Sequence, residues 1–268
     1  MYPSDAPSPV KQKTLLSPCS LSGPAIHSGE VCVIIFRPAP ANAGIFFLCQ
    51  GQKVAALAQN VVNTTRGTSL SNVSVIEHVL AAVAGLGIDN LEIELSRPEP
   101  PVLDGSSLPY VEALKAAGIF EQNAAKAFLV ISSPIILSDG AASLEVRPYN
   151  GFRVSFMIDF PVIGKMKFAY EGRFEEIAPA RTFGWLEEVE GLRRRGLARG
   201  ASLDNALAIG PEGYVNPPRF PDEPVRHKIL DLIGDLSLVG RPLQGELIAV
   251  KSGHKLNVEL ARRLQKLC

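Results

Sequence analysis

Apolar residues recur along this chain in two rhythms, a period of two that predicts strands and a period near 3.6 that predicts helices. The clearest helical stretch spans residues 225–240, where Val225, Ile229, Leu232, Ile233 and Leu236 form one buried stripe. Pro224 suits its first turn and Gly240 its end. A second helix is predicted over 76–85, where Ser74-Val-Ile-Glu77 fits a capping box and Gly85 or Gly87 can close the far end. Residues 108–117 read as a short amphipathic helix stopped by Gly118, and 187–195 as a charged one. The last helix carries Leu256, Leu260, Leu264 and Leu267 on one face.

Strands are predicted at 13–19, 31–37, 45–49, 91–95, 128–131, 142–147, 152–160, 167–170, 205–209 and 245–251. Leu91-Glu-Ile-Glu-Leu95 alternates strictly, so one of its faces is wet. Turns are expected at 22–29 and 39–44, a Pro/Gly-rich loop at 210–224, and a linker at the polar stretch 121–126. These boundaries divide the chain into a flexible tail at 1–12, a first domain at 13–124 and a second at 125–268.

Composition narrows the class. The chain has 268 residues, 46% hydrophobic and 20% charged, enough for two modest cores. Its formal net charge is zero, which leaves no electrostatic case for general binding to nucleic acid or to an acidic membrane. Cys19, Cys32, Cys49 and Cys268 show no C-x-x-C spacing and read as reduced thiols. The Pro-rich amino terminus lacks the basic and apolar regions of a signal peptide, and no apolar run is long enough to span a bilayer. The expectation is a cytoplasmic protein in which nothing demands more than a monomer.

A short internal symmetry points to the fold and to a site. Glu77-His-Val-Leu-Ala-Ala-Val-Ala-Gly85 and Arg226-His-Lys-Ile-Leu-Asp-Leu-Ile-Gly234 each place a histidine near a helix start, seven residues before a glycine. Each block is followed by a strand and then a helix. This predicts an α+β protein of two related sheet-and-helix domains whose helix starts face a shared site.

The candidate chemistry lies on these helices. His227, Asp231 and Asp235 follow at steps of four and share one helical face. With His78 they offer two imidazoles and a carboxylate, a common set of ligands for catalytic zinc. Glu77 beside His78 is placed to act as a general base, and His254 to stabilise an oxyanion or protonate a leaving amine. Blander readings stand beside these. His-x-x-x-Asp alone more often marks a surface pair, Glu77 can close the capping box with Ser74, and Lys228 can be a solvated lysine. Asp235 can cap a turn, and His254 and His27 can be turn residues.

Several stretches decide between these readings. They are Arg37-Pro-Ala-Pro-Ala-Asn-Ala-Gly44, the run from Val75-Ile-Glu-His78 to Gly87-Ile-Asp-Asn90, and Val102-Leu-Asp-Gly-Ser106. In the second half they are Arg147-Pro-Tyr-Asn-Gly151, Ala180-Arg-Thr-Phe-Gly184, the run from Arg226 to Asp235, and Lys251-Ser-Gly-His254. In this order the sequence resembles the UDP-3-O-acyl-N-acetylglucosamine deacetylase family over nearly the whole chain.

The resemblance implies a metal-dependent amide hydrolase that removes the N-acetyl group from UDP-3-O-acyl-N-acetylglucosamine. The products are acetate and UDP-3-O-acyl-glucosamine, in the committed step of lipid A synthesis. It implies that His78, His227 and Asp231 hold zinc, with iron(II) as the alternative, and that Glu77 is the base. His254 would be the electrostatic and acid partner, Asp235 its support, and Thr182 the hydroxyl that polarises the amide carbonyl. Lys228 would face the substrate phosphates. Phe183, Glu188, Lys251 and Gly253 would serve the nucleotide sugar.

An insert at 185–206 would form the acyl passage, with Leu186, Val189, Ala198, Ser202 and Ala206 on its wall. Ala25 and Ala201 stand where the family has glycine, and the family's His-Pro pair is missing after Pro161; none of these touches a metal ligand. Two rival readings are a catalytically silent nucleotide-sugar binding protein and a non-haem Fe(II) oxygenase. The second fits poorly, because its ligands usually come from strands with His-x-Asp spacing.

Overall fold

Two sheets in this computed structural model, which describes residues 10–268, carry the same strand order. The first half runs through β1 (Lys11–Leu15), β2 (Cys19–Pro24), β3 (Val31–Pro38), β4 (Ile45–Cys49), β5 (Gln52–Ala55), β6 (Val61–Asn63) and β7 (Ser69–Leu70). It continues with α1 (Glu77–Gly85), β8 (Leu91–Leu95), α2 (Leu108–Ala116) and β9 (Ile119–Ala125). The second half runs through β10 (Leu129–Val130), β11 (Ile135–Asp139), β12 (Ala142–Arg147), β13 (Phe152–Phe160), β14 (Gly164–Tyr170), β15 (Phe183–Trp185) and α3 (Leu186–Arg194). It ends with β16 (Leu207–Gly210), β17 (Gly213–Tyr214), α4 (Glu223–Ser237), β18 (Leu243–Val250) and α5 (His254–Gln265).

The duplication goes beyond the sequence match. The sheets are ordered β2-β3-β8-β4-β5 and β11-β12-β18-β13-β14, with β10 added beside β18. In each, the strand after the histidine-bearing helix sits at the centre, antiparallel to one neighbour (β3 or β12) and parallel to the other (β4 or β13). A parallel neighbour requires a crossover, and α1 and α4 make it. On β8, Leu91, Ile93 and Leu95 are buried while Glu92 and Glu94 pair with Arg37 of β3, as the alternation predicts.

The helices α1 and α4 pack against each other at the middle of the molecule. α4 is buried along nearly its whole length, which accounts for its apolar residues extending beyond one stripe. Neighbours press close against both paired glycines of the repeat. A Cβ on Gly234 would lie 2.1 Å from the Glu77 carbonyl oxygen, and one on Gly85 would lie 2.3 Å from the Phe174 ring.

Several boundaries differ from expectation. The stretch 121–126 is no linker: most of it belongs to β9, which pairs antiparallel with β1. Its buried polar residue has partners, since the Gln122 side chain accepts from Asn90 and donates to the Ala39 carbonyl. Of the tail expected at 1–12, residues 1–9 lie outside the described part, while Lys11 and Gln12 already belong to β1. The strand expected at 13–19 is interrupted by Leu16-Ser-Pro18, because proline gives no N–H to a ladder. The edge strands β5 and β11 were missed, their mixed exposure blurring the alternation. Leu267 lies beyond α5 and is exposed, unlike Leu256, Leu260 and Leu264. No helix among the described residues is long and apolar enough to cross a membrane.

Candidate active site

The facing starts of α1 and α4 bring His78, His227 and Asp231 together, with one ligand atom of each within 4.8 Å of the others. The two imidazoles meet edge to face with centroids 4.9 Å apart. Asp231 Oδ1 lies 3.4 Å from His227 Nε2 and 3.6 Å from His78 Nε2. His227 Nδ1 is 3.1 Å from the Ala180 carbonyl, which can only accept, so Nδ1 carries the proton and Nε2 presents a lone pair. Burial pushes the His227 pKa down to about 4, against the pull of Asp231.

Burial also works against charge on Asp231, but His227 and Lys228 outweigh it and hold the carboxyl well below its usual range. Asp231 Oδ1 is buried without a hydrogen-bond partner and faces a lone pair of His227. Opposed acceptors of this kind are costly unless a cation lies between them. Two neutral imidazoles and a carboxylate are also the donor set of mononuclear zinc and iron(II) sites, so these residues fit a divalent metal.

Beside this triad lies a second group. Glu77 Oε2 accepts the Thr68 backbone N–H at 2.9 Å, and Oε1 lies 3.9 Å from His254 Nε2. The capping box expected at Ser74 does not form. Ile76 occupies the cap position without a side-chain bond, and Val75 adopts φ 55°, turning Ser74 away from the helix end. Glu77 is thereby left to the site. Burial raises its pKa, against the attraction of His254 and His78.

His254 is the first residue of α5, the chain leaving β18 through Lys251 at φ 52°. Its Nδ1 donates to Asp235 Oδ2 at 2.9 Å, and the same oxygen accepts from Asn257 Nδ2 at 2.9 Å. Burial pushes His254 down, but Asp235 and Glu77 more than reverse this and hold its pKa up to about 9. A buried carboxyl with a raised pKa and a buried imidazolium, side by side, are placed to take and give protons.

These groups open into one cavity of about 600 Å³. Its polar end holds Glu77, His78, Thr182, His227, Lys228, Asp231 and His254. Phe183 stands edge-on to His227 with centroids 5.9 Å apart and also lines it. The remaining wall includes the insert residues Leu186, Glu188, Val189, Ala198, Ser202 and Ala206. Lys228 does not simply face open space, since its Nζ lies 2.7 Å from Asp231 Oδ2. Lys251 and Gly253 are not on the wall; Lys251 pairs instead with Asp159 of β13 at 2.8 Å.

Other parts of the site were not anticipated. Ile26, Pro100, Pro101 and Val102 of the first half add apolar wall, and His27 and Arg66 also reach the cavity. Arg66 pairs with Glu188 across it at 2.8 Å. His27 bridges the same parts, with Nδ1 accepting from the Ala198 N–H and Nε2 bonded to the Arg66 carbonyl. Thr68 carries no sequence signal at all, yet it is fully buried between Glu77 and Asp235.

Comparison with known proteins gives the family. Residues 12–266 match the family described as UDP-3-O-acyl N-acetylglycosamine deacetylase. The chain belongs to that family. A UDP-3-O-acyl-N-acetylglucosamine deacetylase from Myxococcus xanthus is 44% identical over 96% of this chain and 87% of its own length. One from Teredinibacter turnerae is 43% identical over 96% and 91%, and one from Saccharophagus degradans 45% identical over 92% and 88%. Family membership covers both halves of the duplication, and with them every residue of the polar cluster.

Proposed function

We propose that this member of the deacetylase family hydrolyses the N-acetyl group of UDP-3-O-acyl-N-acetylglucosamine, releasing acetate in the committed step of lipid A synthesis. The observation that carries the reading is the 3.9 Å approach of His254 to Glu77 beside an unpartnered Asp231 oxygen, all at the polar end of a largely apolar cavity. A protein that only bound a nucleotide sugar would have no need of such a buried acid–base pair.

His78, His227 and Asp231 would hold the metal, which we take to be zinc, with iron(II) suiting the same donors. Such an ion supplies Lewis acidity, bringing the pKa of a coordinated water near 7 and polarising a carbonyl oxygen. Glu77 takes a proton from the attacking water as its oxygen adds to the acetyl carbon. Thr182 and the His254 imidazolium face the oxyanion that forms. His254 then protonates the sugar nitrogen as the C–N bond breaks, so that acetate and the 2-amino sugar leave. Phe183 and Glu188 would meet the nucleotide sugar. Lys228, beyond balancing Asp231, would meet the phosphates. The apolar wall of the insert and of residues 100–102 would take the acyl chain. The four free cysteines support a cytoplasmic location.

Metal content and acetate release, measured together on two variants, test the reading. His227→Ala should lose metal affinity, whereas Glu77→Ala should keep the metal and lose most turnover. Near-normal turnover in Glu77→Ala would show the base to be another group.

A further inference from the structure

Thr68 is wholly buried, and each of its polar groups is used between the two halves of the site. Its backbone N–H donates to Glu77 Oε2 at 2.9 Å, and its carbonyl accepts the Ile76 N–H at 3.2 Å, so the start of α1 is tied to it twice. Its hydroxyl donates to Asp235 Oδ1 at 2.5 Å and lies 3.4 Å from His254 Nδ1. The chain reaches this position through a sharp bend, with Arg66 at φ 61° and Gly67 at φ 142°. Gly67 passes so near the carboxylate that a Cβ there would lie 3.0 Å from Glu77 Oε1.

The consequence is geometric. Glu77 rides on α1, while the support of His254 comes from Asp235 on α4. Asp235 already accepts from His254 and Asn257 on Oδ2, leaving Oδ1 to the Thr68 hydroxyl. Without that hydroxyl, a buried carboxylate oxygen loses its partner and the carboxylate is free to rotate. The His254 ring would turn with it, away from Glu77.

We propose that Thr68 is a positioning residue for the hydrolysis, tying the base on α1 through its backbone N–H, and Asp235 of α4 with its partner His254 of α5 through its hydroxyl. The proposal rests on the functional reading above. Thr68 does not line the cavity and bonds to none of the candidate metal ligands, so its effect runs through the geometry of the acid–base pair. It should therefore appear in kcat and not in KM.

The test compares Thr68→Val, which keeps shape and backbone N–H but removes the hydroxyl, with Thr68→Ser, which restores it. On metal-loaded protein, Thr68→Val should lower kcat of acetate release by about 10- to 100-fold with KM and metal content near wild type. Thr68→Ser should stay within about threefold of wild type. A Thr68→Val enzyme with wild-type kcat would overturn the proposal, as would a serine variant as impaired as the valine one.

A second measurement does not depend on the reaction. The downfield proton of the His254–Asp235 hydrogen bond should move in the proton NMR spectrum of Thr68→Val and stay in place in Thr68→Ser. An unmoved signal in the valine variant would also overturn the proposal. If wild type released no acetate while the signal behaved as expected, the functional reading would fall and the positioning role would stand. If Thr68→Val did not fold, Thr68→Ser alone would decide, since a large loss there cannot come from the hydroxyl.

Discussion

Glu223, fully buried in the first turn of α4, accepts both the backbone N–H of Arg181 at 2.9 Å and its guanidinium at 2.9 and 3.2 Å. The same carboxylate also takes the Arg219 N–H. The segment that carries Thr182 is thus clamped to the helix that carries His227 and Asp231. Ala180, next to the clamped Arg181, supplies the carbonyl that fixes the His227 tautomer.

Glu223→Gln keeps the shape but removes the charge that Arg181 needs, leaving a buried guanidinium without its counter-ion. Breaking a buried pair in this way costs about 3–5 kcal/mol. The variant should melt well below wild type in calorimetry. It should also bind metal about 10- to 100-fold more weakly in a competition titration, because the Ala180 carbonyl shifts with Arg181. Wild-type metal affinity in a folded variant would show that the clamp does not reach His227.

Gly234 sets the spacing of the site. Its Cα lies so close to the Glu77 carbonyl that a methyl group would overlap it at 2.1 Å, and backbone cannot move aside as a flexible side chain can. Gly234→Ala should therefore push α1 from α4, costing about 1–3 kcal/mol or more in denaturant unfolding. Because His78 rides on α1 and His227 on α4, metal affinity should fall with stability. A variant that unfolds like wild type would mean that the helices can separate without strain.

Arg66 and Glu188 span the cavity, yet both remain partly exposed, with 43% and 40% of their side chains accessible. An ion pair this wet is worth about 0–1 kcal/mol. Arg66→Ala should move the melting temperature little, and raising the salt concentration should shrink even that difference. A loss of several kcal/mol would mean that the pair holds the insert in place.

Much of the site was legible because helical periodicity converts sequence spacing directly into geometry. His227, Asp231 and Asp235 had to share a face of α4, and the match between the blocks at His78 and His227 implied facing helix starts. Strands with strict alternation, such as β8, β12 and β13, were also legible, since one face is buried and the other is not. Features set by long-range contacts were not. Thr68 acts only through partners at positions 77 and 235, and no local pattern encodes those. The capping box at Ser74 failed because Val75 takes a left-handed conformation that β-branched residues rarely adopt. The stretch 121–126 looked like a linker because its polar groups find partners in β1 and in Asn90, out of sight of the sequence around it.

His254 gives a stability signature that can be read with the metal stripped away. Its pKa is held up to about 9 in the folded protein, burial being outweighed by Asp235 and Glu77, whereas an unfolded histidine titrates near 6.5. A raised pKa means that the folded state binds the proton more tightly. The stabilisation is complete below pH 6.5 and is lost as the pH climbs from there through 9. The shift corresponds to roughly 3 kcal/mol over that window. Chelator-treated wild-type protein should lose stability between pH 6.5 and 9 in urea unfolding, and His254→Gln should lose markedly less over the same range. Parallel curves for the two proteins would show that His254 is not held protonated above its ordinary pKa, and the proton for the leaving amine would then have to come from another group.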